Sequence, residues 1–334
     1  MIAFTNPSFE SLPRKEWIVT NGLGGFASGI LSGAHTRRYH GLLVTSFNPP
    51  TQRVVLGSKV EQTRAALYPK IDEAFAQFEA WGIEGMMVDF MDRDDQEMVN
   101  IQEEMLKKAA DHKLHIQFHG VFKPTGLSRT YPNEFTREGT LNYEVNKWGK
   151  ITPDHDINIP FTRMLAGPTD YHLGGFRAVP EPEFKVQYTR PLMLGTRAHM
   201  LAMYVVLENY QGMVCDFPAA YEGQPGFEFL KKVPTTWDET RVLSAKVSEF
   251  ITIARRKNQQ WFVGSITNSS PRSLNVSLDF LQEGEYEAEI YTDAADTGLN
   301  PNHVIIRKQP VNRNTLLSLN LGAGGGVAIH IKKR

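Results

Sequence analysis

The sequence predicts a mixed fold: an α/β middle part, a β-rich fragment before it and an antiparallel β-domain after it. Three observations carry this reading. Between about 64 and 235, helical stripes alternate with short apolar strands, the pattern of βαβ units and a parallel sheet. From about 236 to 334, apolar and polar residues alternate in short runs separated by turn residues, as in an antiparallel sheet or sandwich. Across 1–63, runs of Val, Ile and Leu are broken by Gly, Asn and Pro, with no long helical stripe.

The elements follow in order. EWIVTNGLGGFASG, RYHGLLVTSF and QRVVLGSKVEQ read as strands and turns of the first part. Ala65–Trp81 is a helix, with Leu67, Ile71, Ala74, Phe75 and Phe78 on one stripe and Gly82 at its C-cap. Ile83–Val88 is a buried strand ended by Asp89. A second helix spans Asp94 to His112, with Asp94 and Asp95 placed to cap it. Leu114–His119 is the next strand. Asp156–Phe161 and Met213–Phe217 are further strand candidates, and Thr196–Tyr210 and Gly226–Lys232 further helices. The middle part therefore holds four or five strands, where a closed barrel of this type needs eight. Trp261–Ile266, Ser273–Phe280, Tyr286–Thr292, Val304–Lys308 and Gly326–Ile331 are the strands of the last part.

Composition narrows the function classes. The chain has 334 residues, 41% of them hydrophobic and 22% charged, as in a soluble globular protein. Thirty-six Lys and Arg against 37 Asp and Glu leave a net charge of −1, which argues against nucleic acid or an anionic membrane as partner. No apolar run approaches the roughly 20 residues of a spanning helix. MIAFTNPSFESLPRKEW has no basic stretch followed by an apolar core, so the chain as written is expected in the cytoplasm. Cys215 is the single cysteine, which excludes an intrachain disulfide and a multi-cysteine metal site. Its apolar strand makes it a core residue.

Chemistry concentrates in two segments. In GIEGMMVDFMDRDDQ, an apolar strand ends on Asp89 and so presents a carboxylate at the carboxyl rim of a parallel sheet, where such folds keep their active sites. Two readings stand for Asp89: a reactive rim carboxylate, or a cap for the following loop. Asp92, Arg93, Asp94 and Asp95 suit helix capping and local ion pairs, although an arginine beside a rim carboxylate would hold it ionised. In HGVFKPTGLSRTYPNEFTREGTLNYE, the connection after the next strand is far longer than the usual 2–6 residues, roughly, of a βα loop. Its Glu134, Glu138 and Glu144 are either solvated surface acids or a source of the two facing carboxyls that glycoside hydrolysis needs. His112, His115, His119, His155 and His172 raise a metal site as an alternative, with His115 and His119 spaced to share one side of either a helix or the strand expected here. Oxygen ligands such as Glu138 suit Ca²⁺ better than zinc. His119, Lys123 and Arg93 are the candidate substrate-binding groups. Asn21–Gly25, NGLGG, matches neither phosphate-binding glycine pattern, and no nucleophile elbow occurs.

These segments also carry a resemblance. From about Leu67 to the end, the sequence resembles glycoside hydrolase family 97, through GIEGMMVDFMDRDDQ, FHGVFKPTGLSRTYPNEFTREG, NYEVNKW and VPTTWDETRVLSAKVSEFITIARRK. The resemblance implies an incomplete (β/α)8 barrel over 64–235 and a C-terminal β-sandwich over 236–334. The inverting branch of that family carries a glutamate base directly after the position of His119, where this chain has Gly120. The retaining branch has an aspartate nucleophile at the position of Asp89. By resemblance, Asp89 attacks the anomeric carbon and Glu144 serves as acid/base, with their carboxyls about 5–5.5 Å apart. Glu138 matches a calcium-ligand glutamate, and Glu138 and Glu144 are the implied Ca²⁺ ligands.

Residues 1–63 resemble instead the start of the N-terminal β-domain of prokaryotic glycogen debranching enzymes, so the stretch near Val60–Leu67 reads as a junction of two fragments. The implied function is retaining hydrolysis of α-galactosides or α-glucosides, with an α-glycoside or oligosaccharide as partner. Members of the family are often periplasmic. The alternative is an inactive fused remnant or a carbohydrate-binding β-protein.

Overall fold

The computed structural model describes the backbone of Phe4–Thr5 and of 60–334 except Asp92, Gly174 and Phe217, with side chains from Lys70 onward. Apart from Phe4–Thr5 and 60–63, the β-rich fragment expected over 1–63 lies outside the described residues. The chain packs as two compact units. The first takes the described residues through Thr140 together with Ala166–Asp170; the second takes Leu141–Leu165 and Tyr171–Arg334.

In the first unit, β1 (Phe4–Thr5), β2 (Gly85–Val88), β3 (His115–Phe118) and β4 (Glu134–Arg137) form one sheet in that order. β1 runs antiparallel to β2, while β2, β3 and β4 run parallel. Helix α1 (Val60–Ala80) precedes β2, and α2 (Gln96–Asp111) joins β2 to β3. α1 begins at Val60, so 60–63, assigned from sequence to the β-fragment, are helical. The helical spacing of Ile71, Phe75 and Phe78 turns all three inward. They meet Met98, Ile101 and Met105 of α2 and Met86, Ile116 and Phe118 of the sheet in one apolar core. α1 ends where Gly82 takes a φ of 72° and its N–H donates to the Glu79 carbonyl at 2.9 Å. α2 begins at Asp95, whose carboxylate accepts from the Met98 N–H at 3.1 Å.

β4 lies inside what the sequence presents as a long irregular connection. It was hidden by inverted polarity: Glu134, Thr136 and Arg137 are buried, while Phe135 is 39% exposed. Arg137 is held between the rings of Phe118 and Phe122, at 4.8 and 4.7 Å from their centroids. Its guanidinium pairs with Glu134 and donates to Gln102 Oε1 at 2.6 Å. Because β2, β3 and β4 are parallel, their carboxyl ends share one rim. The residues directly after them are Asp89, His119 and Glu138.

The second unit is built on a six-stranded antiparallel sheet, β12-β11-β14-β9-β8-β7. Its strands are β7 (Glu239–Lys246), β8 (Phe250–Lys257), β9 (Gln260–Thr267), β11 (Tyr286–Asp293), β12 (Val304–Val311) and β14 (Gly326–Lys333). A second pair, β10 (Arg272–Ser277) with β13 (Leu316–Leu321), contributes Val276, Leu317 and Leu319 to a core shared with Val263, Ile290 and Ile329. β7, β8 and β13 add to the five strands read from sequence. Helix α4 (Arg197–Val206) packs against β9 and β14. It comes so close that a Cβ on Gly264 would lie 2.6 Å from the Ala202 carbonyl oxygen. The glycine is what lets the helix approach the sheet.

The strand expected over Asp156–Phe161 does not form. Thr152 caps a short helix, α3 (Pro153–Asp156), with Pro153 at its first turn, and a 3-10 turn follows at Ile159–Phe161. Pro at N1 fixes helical φ, so these apolar residues are buried by turning rather than by extending. β5 (His172–Leu173) and β6 (Met213–Val214) form a short parallel pair, and α5 (Phe227–Leu230) is the last helix. Among the described residues no helix is long and apolar enough to cross a membrane. Gly264→Ala is expected to lower the unfolding free energy by about 2 kcal/mol through overpacking, read as a lower urea midpoint at unchanged m-value.

Candidate active site

The rim of the first unit gathers three carboxylates around one imidazole. His119 Nδ1 lies 3.3 Å from Asp89 Oδ1, and its Nε2 lies 3.3 Å from both Glu138 Oε1 and Asp170 Oδ2. The His119 side chain is 5% exposed. Burial works against a charged imidazole, but the Asp89 hydrogen bond and the charges of Glu138, Asp170 and Asp89 outweigh it and raise His119 to about 10. It is an imidazolium at neutral pH. Burial likewise works against an ionised Asp89, and here the His119 hydrogen bond and charge and the Phe90 N–H hold the carboxyl below its ordinary value. That N–H reaches Asp89 Oδ1 at 2.7 Å because Phe90 takes a left-handed φ of 66°. An ionised, partly desolvated aspartate at a strand end is a competent nucleophile.

The backbone around this cluster is tightly specified. Gly120, with φ 52°, donates its N–H to Glu138 Oε2 at 2.8 Å. A Cβ at residue 120 would lie 2.8 Å from Asp89 Oδ1 and 2.9 Å from the Phe90 nitrogen. The Glu138 N–H donates to the Phe118 carbonyl at 3.0 Å, and the Asp170 N–H to the Arg137 carbonyl at 2.9 Å. Asp170 went unnoticed in the sequence. It reaches the rim only because Thr169 forms a parallel bridge with Arg137, a pairing that no local pattern announces. Glu138 and Asp170 both present carboxylate oxygens to His119 Nε2, and oxygens of this kind are the donors a hard cation prefers.

The other candidates are placed as follows. Arg93 turns to Asp95 at 2.5 Å and Glu97 at 3.8 Å, the local ion-pair reading of the DRDD stretch. Lys123 is exposed, and its backbone sits under Gly139. His115 does not join His119. It stacks on Phe135 at 4.0 Å, and burial pushes it down to about 4. His112 pairs with Glu79 at 2.9 Å, and His155 meets the Leu141 carbonyl at 2.9 Å. Cys215 is buried, and burial raises its thiol far above its ordinary value.

Glu144 and His172 belong to the second unit. Glu144 is the second residue of a 3-10 turn, Tyr143–Lys147, whose cap Asn142 accepts the Glu144 N–H at 2.8 Å. Its carboxylate accepts from Lys147 Nζ at 3.0 Å and lies 3.8 Å from His172 Nδ1. A half-buried carboxyl with two nitrogen partners is suited to proton transfer.

His119→Gln in EDTA-treated protein is expected to cost about 3 kcal/mol of unfolding free energy near pH 6, because buried carboxylates lose their counter-charge. The sign follows from the two shifts. The His119 contribution is complete below 6.5 and disappears as pH rises toward about 10, while that of Asp89 is present above 3.8 and lost below it. Urea titrations at pH 3, 6 and 10 should therefore show the largest difference at pH 6.

Comparison with known proteins bears on the same segments. Residues 51–140 match the family model described as Glycoside hydrolase 97, and 236–332 match Glycosyl-hydrolase 97 C-terminal, oligomerisation. Residues 15–66 match Glycogen debranching enzyme N terminal. A retaining alpha-galactosidase of Bacteroides thetaiotaomicron is 38% identical over 255 residues, covering 75% of this chain and 38% of that protein. A probable retaining alpha-galactosidase of Streptomyces bingchenggensis is 29% identical over 251 residues, 75% of this chain and 36% of that protein. The chain thus spans well under half the length of these relatives. A family 97 enzyme from Pseudoalteromonas sp. strain K8, solved in complex with panose, superposes with a TM-score of 0.73 at 33% identity, over 80% of this chain and 45% of that one. From about residue 67 to its end the chain belongs to glycoside hydrolase family 97, preceded by a stretch that matches the amino-terminal part of glycogen debranching enzymes.

Proposed function

We propose that this chain is a retaining glycoside hydrolase acting on α-galactosidic or α-glucosidic bonds by double displacement. The observation that carries the proposal is the fit between Asp89 and Gly120. The ionised Asp89 carboxylate occupies the space that any side chain at 120 would need, so a base at 120 and a nucleophile at 89 exclude one another sterically. The identity to a retaining alpha-galactosidase supports the same branch. In this reading β2, β3 and β4 are an arc of an incomplete (β/α)8 barrel, in keeping with the likeness to family 97 structures.

Chemically, an Asp89 oxygen attacks the anomeric carbon while the bond to the leaving oxygen breaks and Glu144 gives that oxygen its proton. Glu144 then takes a proton from water, whose oxygen attacks the same carbon and releases Asp89. The His119 imidazolium keeps Asp89 ionised and oriented. Glu138 and Glu144 are carboxylates of the kind Ca²⁺ prefers, and Glu138 is already fixed by the Gly120 N–H. Bound there, the ion would supply electrostatic polarisation. His119 and Lys123 are proposed as sugar contacts. Arg93, committed to Asp95 and Glu97, is the least suited of the three.

The match of residues 15–66 to Glycogen debranching enzyme N terminal favours one rival, an inactive fused remnant. Purified protein with Ca²⁺ is therefore offered aryl α-galactoside and α-glucoside. Asp89→Asn is expected to lower turnover by about 10³-fold or more, and Glu144→Gln by about 10²–10⁴-fold. Folded wild-type protein that turns over neither substrate would establish the remnant. Independently of turnover, millimolar Ca²⁺ is expected to raise the melting temperature, and Glu138→Gln to reduce that rise.

A further inference from the structure

Glu144 and His172 of the second unit share a feature that their own contacts do not reveal. Each directly follows a fully buried tyrosine, and both tyrosines end on one carboxylate. Tyr143 donates its hydroxyl to Asp156 Oδ2, and Tyr171 donates its own to Oδ1 at 2.7 Å. Asp156 is 0% exposed at the end of α3. Its Oδ2 also lies 3.3 Å from Nε2 of the buried His199 in α4, whose Nδ1 is 3.2 Å from the Gly325 carbonyl. The two tyrosine rings meet edge to face at 5.9 Å. A carboxylate taken wholly out of water carries a desolvation cost of several kcal/mol, and two phenylalanines would fill the same volume without it. What the carboxylate adds is direction. It accepts from two hydroxyls at once, on opposite oxygens, and so fixes two separate backbone stretches against a single point.

We propose that Asp156 is a positioning residue, which through Tyr143 and Tyr171 sets the acid/base carboxyl of Glu144 and the imidazole of His172 beside it. The inference rests on the retaining reading above, since it assigns Glu144 a proton to deliver. A loss of placement of about 1 Å can cost on the order of 100-fold in rate. That loss must fall on the step in which Glu144 acts, protonation of the leaving oxygen.

The leaving group supplies the test. The value of kcat/KM in a double displacement reports the first step alone. A 2,4-dinitrophenolate departs without a proton, whereas a methoxide does not. Asp156→Asn leaves a single acceptor oxygen for the two hydroxyls, and Tyr143→Phe removes one of the two donors while keeping the ring. Both are assayed in the full chain with Ca²⁺, on methyl and 2,4-dinitrophenyl α-galactosides. For each, kcat/KM is expected to fall about 10–100-fold on the methyl glycoside and to stay within about threefold on the dinitrophenyl glycoside. Equal losses on both substrates in the folded variants would make the network merely structural and overturn the proposal, as would no loss on either. If Asp156→Asn does not fold, Tyr143→Phe decides. Wild-type protein inert toward both glycosides would instead defeat the retaining reading itself, and this inference with it.

Discussion

One electrostatic constraint organises the first unit: a single buried imidazolium must balance Asp89, Glu138 and Asp170. Each of these acids is near a chain crossing that the sheet determines. Asp89 and Glu138 directly follow β2 and β4, His119 follows β3 between them, and Asp170 arrives on a segment bridged to β4. Parallel pairing brings these ends to one rim, and the charge on His119 offsets the carboxylates gathered there. Removing charge from a buried cluster of this kind is more disruptive than never having built it, since the remaining groups have lost their water. The same geometry explains why residue 120 has no side chain and why Phe90 accepts a left-handed backbone: both make room for, or donate to, the Asp89 carboxylate.

The second unit handles its polar interior by a related device. Its large antiparallel sheet and α4 are ordinary apolar packing, tightened at Gly264. Near α3 the packing turns polar: Asp156, Tyr143, Tyr171 and His199 form a buried group adjoining the turn that bears Glu144. Burial and the neighbouring Asp156 charge push both tyrosine hydroxyls far above their ordinary range, so they remain donors at every physiological pH. Both units therefore set a candidate catalytic carboxylate by way of a buried ion or a buried acceptor. In neither does a flexible surface side chain do so.

Much of the framework was legible in the sequence. The stripe Ile71, Phe75, Phe78 marked the core face of α1, Asp95 its successor's cap, and the alternation in 260–331 most of the β-domain, because these elements bury one apolar face and expose the other. β4 was not legible, because it buries Glu134 and Arg137 and turns Phe135 outward. The apolar letters of Asp156–Phe161 misled in the other direction, since Thr152 and Pro153 commit the chain to a turn before the strand can start. At the site, Asp89 stood out as an acid closing an apolar strand, and Glu138 and Glu144 as acids in a connection too long for its architecture. Asp170 and Asp156 had no such mark.

The sequence by itself determined the chain's α/β-then-β order and the residue types able to do glycoside chemistry, for those follow from period and local motif, and its resemblance to a known family carried its lineage. Tertiary structure decided the charge states and the company each residue keeps. Whether His119 is charged depends on acids 19 to 51 residues away along the chain, brought within 3.3 Å by strand pairing. Coulomb energies at that range depend on distance and burial, and neither is a property of any stretch of sequence read alone.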